Sequence, residues 1–171
     1  MAKWRWGAFS GAFPNAFRVL GTHPTPAADP HGDLTRDPAY GLFAAAAEPT
    51  HACLSALAAI VPADREVAMV EAHAWPSIPG VVNQPVVAVA QMIAGDLTHV
   101  AAKGFEIVDL TEQDAAEMFD LARLTQPGPF YSRTHRLGDF VGVKVGGVLA
   151  AMAGERLKLP GFTEVSAVCT H

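Results

Sequence analysis

Two glycine-containing turns divide the last part of the chain, and this division constrains the fold more than any other feature. Gly146-Gly147 separates the apolar run Phe140–Val145 from Val148–Leu159, and both glycines tolerate the positive φ angles of a two-residue hairpin turn. Pro160-Gly161 suits the centre of a type II turn, and the β-prone run Phe162–Thr170 follows it. The sequence therefore predicts three successive antiparallel strands.

A short strand and a helix precede this meander. Phe105–Leu110 is predicted to be a strand, and Thr111-Glu112-Gln113-Asp114 has the pattern of a capping box with acids at the positive end of the helix dipole. Apolar residues then recur at helical spacing, at Ala115, Met118, Phe119 and Ala122. The helix is predicted to end before Pro127-Gly128-Pro129, so residues 104–171 read β-α-(loop or short helix)-β-β-β.

The first part of the chain carries weaker patterns. Thr50 is predicted to cap a helix that runs to about Val61. Two strands are predicted after this helix, over Glu66–Ala72 and Val86–Ile93. We therefore expect an α+β chain in which residues 1–103 form a smaller N-terminal α/β subdomain and residues 104–171 form a second unit.

The composition excludes several classes of protein. Half of the residues are apolar and 17% are charged, which indicates a folded core rather than a disordered chain. The net charge of -5 without a basic cluster argues against a nucleic-acid partner. No apolar run approaches the length of a membrane span, and the two isolated cysteines, Cys53 and Cys169, favour a reducing, cytoplasmic setting.

No complete catalytic or metal-binding motif is present. The seven histidines include no pair at metal-ligand spacing, so we expect no metal. Ser132, His135 and Asp139 have the residue types of a nucleophilic triad, but they are close together in sequence and are interpreted as polar loop residues.

Two segments carry a family resemblance, namely LTQPGPF at Leu124–Phe130 and MAGERLKLPGFTEVSAVCTH at Met152–His171. They resemble the acetyl-CoA-dependent acetyltransferases of the GNAT superfamily, particularly a branch with an extra N-terminal half. In that branch the fourth strand commonly reads E-[IV]-S-A-V-C-T-H and leads into a pyrophosphate loop of the form P-x-x-R-G-x-G. The resemblance is strong over about Leu110–His171 and weaker over Asn15–Ile93. It implies that residues 104–171 are the N-terminal half of a GNAT fold.

The resemblance also implies a reaction and a set of site residues. A small-molecule or peptide amine would attack the thioester of acetyl-CoA directly. The backbone of Val168, Cys169 and Thr170 matches the positions that bond the pantetheine arm and polarise the thioester carbonyl. Glu164 matches the place of a catalytic base, and Pro127–Arg136 matches the acceptor-side loop.

Each of these site residues has an alternative interpretation. Glu164 could instead be a strand residue paired with Arg156 or Lys158, and Cys169 could be a small core residue. The period of a strand places Glu164, Ser166, Val168 and Thr170 on one face unless a β-bulge shifts the register.

The sequence stops at His171, before the position of the pyrophosphate loop. From this we expect a truncated chain that binds acetyl-CoA weakly or not at all. An apolar last strand with an open edge also predicts a homodimer or a higher assembly. Two alternatives to an active acetyltransferase remain open here, a non-catalytic interaction fragment or pseudoenzyme and an unrelated α+β domain that binds small molecules.

Overall fold

The structure is a computed structural model of the 171-residue chain. It describes residues 27–28, 34–35, 38–46, 48–61, 66–71, 75–78, 80–83, 92–98, 100, 104–159 and 161–171. The predicted strand Val86–Ile93 falls outside these residues except for its last two positions.

The N-terminal part contains a small sheet and one helix. Strands β1 (Ala27–Ala28), β2 (Leu34–Thr35) and β3 (Ala44–Ala45) pair antiparallel in chain order. Helix α1 (His51–Ile60) follows, and its position confirms the prediction made from Thr50. The backbone of Thr50 is extended, so its hydroxyl can accept the N–H of Cys53 at 3.3 Å and cap the helix.

The predicted strand Glu66–Ala72 is wrong as a regular strand over the residues that the structure describes, 66–71. Ala68 instead makes one isolated parallel bridge to Phe43. The Ala68 N–H donates to the Leu42 carbonyl at 2.8 Å, and the Ala44 N–H donates to the Ala68 carbonyl at 3.0 Å. A core lies between this bridge and α1, and its buried residues are Ala44, Ala46, Leu54 and Leu57.

The C-terminal part forms a four-stranded antiparallel sheet. Its strands are β4 (Val108–Leu110), β5 (Phe140–Val145), β6 (Val148–Leu159) and β7 (Phe162–Thr170), and they lie in chain order. The meander predicted from the two turns is confirmed, and the predicted strand Phe105–Leu110 is shorter than expected. The hairpin glycines Gly146 and Gly147 have φ angles of 61° and 85°, as the turn requires.

Helix α2 (Ala115–Thr125) packs on one face of this sheet. The predicted capping box is present, because the hydroxyl of Thr111 accepts the Gln113 N–H at 3.3 Å and the Asp114 carboxylate accepts the Thr111 N–H at 2.8 Å. The helix ends at Gln126, which has a left-handed conformation. The buried core between helix and sheet is Met118, Leu121, Ala122, Phe140, Leu149 and Met152.

Two helical positions differ from the predicted buried stripe. Ala115 and Phe119 are only half-buried, and Leu121 is buried instead. A 3-10 turn at Thr134–Arg136 occupies the predicted loop or short helix before β5.

The two parts of the chain contact each other, and the predicted boundary between residues 103 and 104 stays a prediction. The Arg133 N–H donates to the Ala39 carbonyl at 2.7 Å, and the buried Thr134 hydroxyl donates to the Tyr40 carbonyl at 2.9 Å. Within the described ranges, no helix has the length and apolar character needed to cross a membrane.

Candidate functional site

A β-bulge interrupts β7 where the acyl-donor site is predicted. Cys169 pairs with Met152 and Ser166 pairs with Gly154, so Ala167 and Val168 together face the single residue Ala153 of β6. Ala167 has a φ angle of 52°, the left-handed conformation that an extra residue in a strand can adopt. Such a bulge bends the strand and changes the direction of its backbone N–H and C=O groups.

The bulge also shifts which side chains share a face. After it, Val168 and Thr170 are exposed, whereas Ala167 and Cys169 are half-buried and pack against the core under α2. Before it, Glu164 and Ser166 are the half-buried residues and Val165 is exposed. Glu164 therefore does not share a face with Val168 and Thr170, contrary to the simple strand period.

The outer edge of β7 has no strand partner among the residues that the structure describes, since β7 is the last strand in the order β4-β5-β6-β7. The backbone groups of Val168, Cys169 and Thr170 lie along this edge, directly after the bulge. An extended chain with amide groups can add to such an edge as a further strand. The arrangement fits the predicted binding of the pantetheine arm, although these three residues remain a prediction.

Glu164 lies three residues before the bulge and is held by Arg156. The Arg156 Nε donates to Glu164 Oε2 at 3.0 Å, and Nη2 donates to Oε1 at 2.5 Å. The pair is bidentate, the geometry in which a guanidinium fork matches a carboxylate. The alternative of an ion-paired Glu164 therefore has direct support, with Arg156 and not Lys158 as the partner.

Arg156 is itself a bulge residue and contacts the N-terminal part of the chain. Glu155 pairs with Val165 and Leu157 pairs with Glu164, so Arg156 has no opposing residue on β7. Its guanidinium carbon lies 4.6 Å from the centroid of the Phe43 ring, which is cation–π distance. Phe43 adjoins β3, so a residue from the first part of the chain lies next to the candidate site.

The predicted acceptor-side loop (Pro127–Arg136) is anchored at its end by a cluster around Glu112. Arg136 donates to Glu112 from Nε at 2.9 Å and from Nη2 at 2.5 Å, and His135 Nε2 lies 3.0 Å from Oε2. The hydrogen bonds from Arg136 and His135 lower the pKa of Glu112 to about 2. The loop is thus fastened to the 3-10 turn Glu112–Asp114, which directly precedes α2.

A shallow pocket lies at the beginning of this loop, next to the last turn of α2. It is lined by Ala122, Arg123, Gln126, Gly128 and Phe130. The Phe130 ring meets the Phe140 ring edge-on, with centroids 6.0 Å apart. The pocket therefore rests on the core of the C-terminal sheet.

The structure does not bring Ser132, His135 and Asp139 into a triad. His135 contacts Glu112, Asp139 pairs with Lys158 at 2.8 Å, and Ser132 is exposed. No cluster of three metal-ligating side chains occurs in the described part of the chain.

Sequence reasoning missed Phe43 as a neighbour of the site. Nothing in the spacing of the sequence relates Arg156 to a residue more than a hundred positions earlier. An aromatic residue next to a short strand is a weak signal by itself, and the contact follows from the way the two parts of the chain pack.

Comparison with solved structures identifies a similar protein. The chain is similar to the 1.80 Å crystal structure of a protein assigned to the GNAT family of acetyltransferases, from Novosphingobium aromaticivorans DSM 12444. The two are 36% identical, with a TM-score of 0.71, and the match covers 93% of this chain and 72% of the other. No protein-family model matches the chain, and no curated protein matches it.

Proposed function

Because the chain belongs to the GNAT family of acetyltransferases, we propose that it serves N-acetyl transfer from acetyl-CoA to a small-molecule or peptide amine. The observation that carries this proposal is the bulge at Ala167, with a φ angle of 52°, on the open edge of β7. The bulge supports a role for this edge in binding the acyl donor, whereas family membership alone assigns no residues to that role.

The β7 edge fits the pantetheine arm of acetyl-CoA in its chemistry. That arm is extended and carries amide groups, so it can exchange hydrogen bonds with the backbone of Val168, Cys169 and Thr170 as an added strand would. A backbone N–H next to the bulge would lie close to the thioester carbonyl and stabilise the negative charge that develops there. Acetyl-CoA itself supplies an activated thioester.

The transfer balances without a covalent enzyme intermediate. The amine nitrogen forms a bond to the acetyl carbon, the C–S bond breaks, and CoA leaves as a thiolate that takes up a proton. The attacking amine loses one proton, and we propose that Glu164 accepts it, directly or through water. Cys169 needs no chemical role, and its contact with the core supports a packing role.

The pair with Arg156 occupies both oxygens of Glu164, each of which keeps a further lone pair for a proton. A non-catalytic family member could contain the same ion pair between Arg156 and Glu164, so the pair alone does not distinguish an enzyme from a pseudoenzyme. An assay of acetyl-CoA binding beside the assay of turnover separates the two cases, because a pseudoenzyme would bind the donor and release no CoA.

The test of the function is CoA release from acetyl-CoA in the presence of a panel of primary amines, followed by mass spectrometry of the acetylated product. Glu164→Gln should lower kcat by about 10²- to 10⁴-fold while leaving the affinity for acetyl-CoA unchanged. Glu106→Gln, an exposed position before β4, is the matched control. Full turnover by Glu164→Gln would assign the base to another residue or to water, and no turnover by the unmodified chain would reject the proposed activity.

A further inference from the structure

Three side chains from three segments form a stack beside the bulge of β7. The Phe43 ring lies against the Arg156 guanidinium at 4.6 Å, and this guanidinium holds the Glu164 carboxylate through two hydrogen bonds. Phe43 comes from the N-terminal part, Arg156 from β6 and Glu164 from β7. We call these residues the Phe43–Arg156–Glu164 stack.

The backbone directs Arg156 into this stack. Arg156 is the unpaired residue of a bulge in β6, and a bulge commonly re-aims a side chain near a functional site. Its side chain is 19% exposed, whereas that of Glu164 is 39% exposed. The arginine is therefore largely enclosed, and the carboxylate that it holds still reaches solvent.

The chemistry of the stack is specific for arginine. A planar guanidinium can place one face on an aromatic ring while its edge donates two parallel hydrogen bonds to a carboxylate, and a lysine ammonium cannot do both with that geometry. Both contacts restrict the rotation of Arg156. The carboxylate at the other end is restricted in turn, because each of its oxygens has a defined donor.

We propose that Arg156 is a positioning residue, which Phe43 orients and which in turn fixes the Glu164 carboxylate beside the β7 bulge. This inference rests on the proposed function and adds to it a role for the N-terminal part of the chain, which supplies the ring. Arg156 acts through Glu164 and does not contact the substrate.

A neighbouring group of charges provides the control. Lys158, two residues further along β6, pairs with Asp139 and with Glu155, both at 2.8 Å. Lys158→Gln removes the same charge as Arg156→Gln from the same strand without touching Glu164. A general effect of lost positive charge would therefore appear in both variants.

The first experiment observes the stack directly and needs no activity. In ¹H–¹⁵N spectra of arginine side chains, the Arg156 Nε–H should exchange slowly with water because Glu164 accepts it. Glu164→Gln should reduce this protection, because one neutral amide oxygen replaces the two carboxylate oxygens. Phe43→Leu should shift the signal because the ring is lost. An unprotected Arg156 Nε–H in the unmodified chain would overturn the proposal.

The second experiment is a double-mutant cycle on acetyl transfer. Arg156→Gln should lower kcat by about 10- to 100-fold, as expected for a misplaced catalytic group, without changing the affinity for acetyl-CoA. Arg156→Lys should have a kcat between those of Arg156→Gln and the unmodified chain. Phe43→Leu should lower kcat by about two- to tenfold. In the Glu164→Gln background, Arg156→Gln should change kcat by less than about twofold, because its partner is already absent.

The outcomes separate this inference from the proposed function. Suppose that the unmodified chain transfers acetyl and that Arg156→Gln lowers kcat by the same factor in the Glu164→Gln background as in the unmodified chain. Arg156 then acts by another route, and the positioning role fails while the proposed function stands. If Lys158→Gln lowers kcat by as much as Arg156→Gln does, the loss comes from the missing positive charge, and the positioning role also fails. If the unmodified chain transfers no acetyl, the function and the positioning role both fail, and a protected Nε–H would then mark a structural ion pair.

Discussion

Gly154 on β6 has no room for a side chain. A Cβ atom at this position would lie 2.1, 2.2 and 2.5 Å from three carbons of the Phe140 ring. Ordinary carbon contacts are about 3.5–4.0 Å, so the ring would have to move by roughly 1.5 Å in Gly154→Ala. Phe140 is 4% exposed and meets the Phe130 ring edge-on, so the surrounding core resists this movement.

The expected cost of Gly154→Ala follows from two opposing terms. Overpacking a core costs about 1–3 kcal/mol, and the distances at Gly154 place this substitution at the upper end. Replacing glycine by alanine also stabilises by about 0.4–1 kcal/mol, because the unfolded chain loses conformational freedom. The free energy of unfolding should therefore fall by about 2 kcal/mol.

Urea unfolding followed by circular dichroism measures this loss of stability. An unchanged slope of the free energy of unfolding against urea concentration shows that the native and unfolded states keep their compactness. Gly95→Ala is the matched control, since no atom of the described residues lies within 4 Å of a Cβ there and its φ angle is not positive. Phe140→Leu should relieve the clash, so the double variant should be less destabilised than the sum of the single variants by about 1 kcal/mol or more. Equal stabilities for Gly154→Ala and Gly95→Ala would refute the reasoning.

Three further predictions concern the cap of α2, the loss of folding stability at low pH, and self-association. Thr111→Ala should cost about 1 kcal/mol in urea unfolding through loss of the capping box, and Gln113→Ala, whose backbone N–H is kept, should not. The hydrogen bond from Lys144 lowers the pKa of Asp114 from 3.8 to about 2, so this group stabilises the fold above pH 3.8 and the contribution is lost as the pH falls towards 2. Asp114→Asn should therefore flatten the decline of stability between these pH values, and an unaltered decline would contradict the assignment. We propose that the open edge of β7 pairs with a second copy when no acyl donor occupies it. Without acetyl-CoA, Val168→Pro should therefore weaken self-association in analytical ultracentrifugation, and a stable monomer at high micromolar concentration would contradict the proposal.

The elements of the C-terminal part could be predicted because local signals determine them. The hairpin depends on two adjacent glycines at positive φ, and the start of α2 depends on a capping box within four residues. Both are interactions between near neighbours in sequence, so the sequence contains all the information needed. The end of α2 is similar, since Pro127 prevents the helix from continuing.

The site could be predicted less completely because its geometry depends on pairing between strands. The alternation of a strand predicts Glu164 and Val168 on one face, but the bulge at Ala167 breaks that alternation. Alanine has no special preference for a bulge, so the residue itself gives no warning. The contact of Phe43 with Arg156 is less predictable still, because it depends on the packing of the two parts of the chain.

The identity of residue 167 suggests how the bulge is held in place. A left-handed conformation costs a residue with a Cβ roughly 1–2 kcal/mol, a cost that glycine avoids. The Ala167 side chain nevertheless packs against the core under α2, and burial of a methyl group returns on the order of 0.8 kcal/mol. Glycine would remove the strain but also the contact that fixes the strand at this point. The alanine thus accepts a small loss of stability in return for a bulge that is anchored to the core. An anchored bulge keeps the backbone after it in one orientation, as the proposed binding of the acyl donor requires.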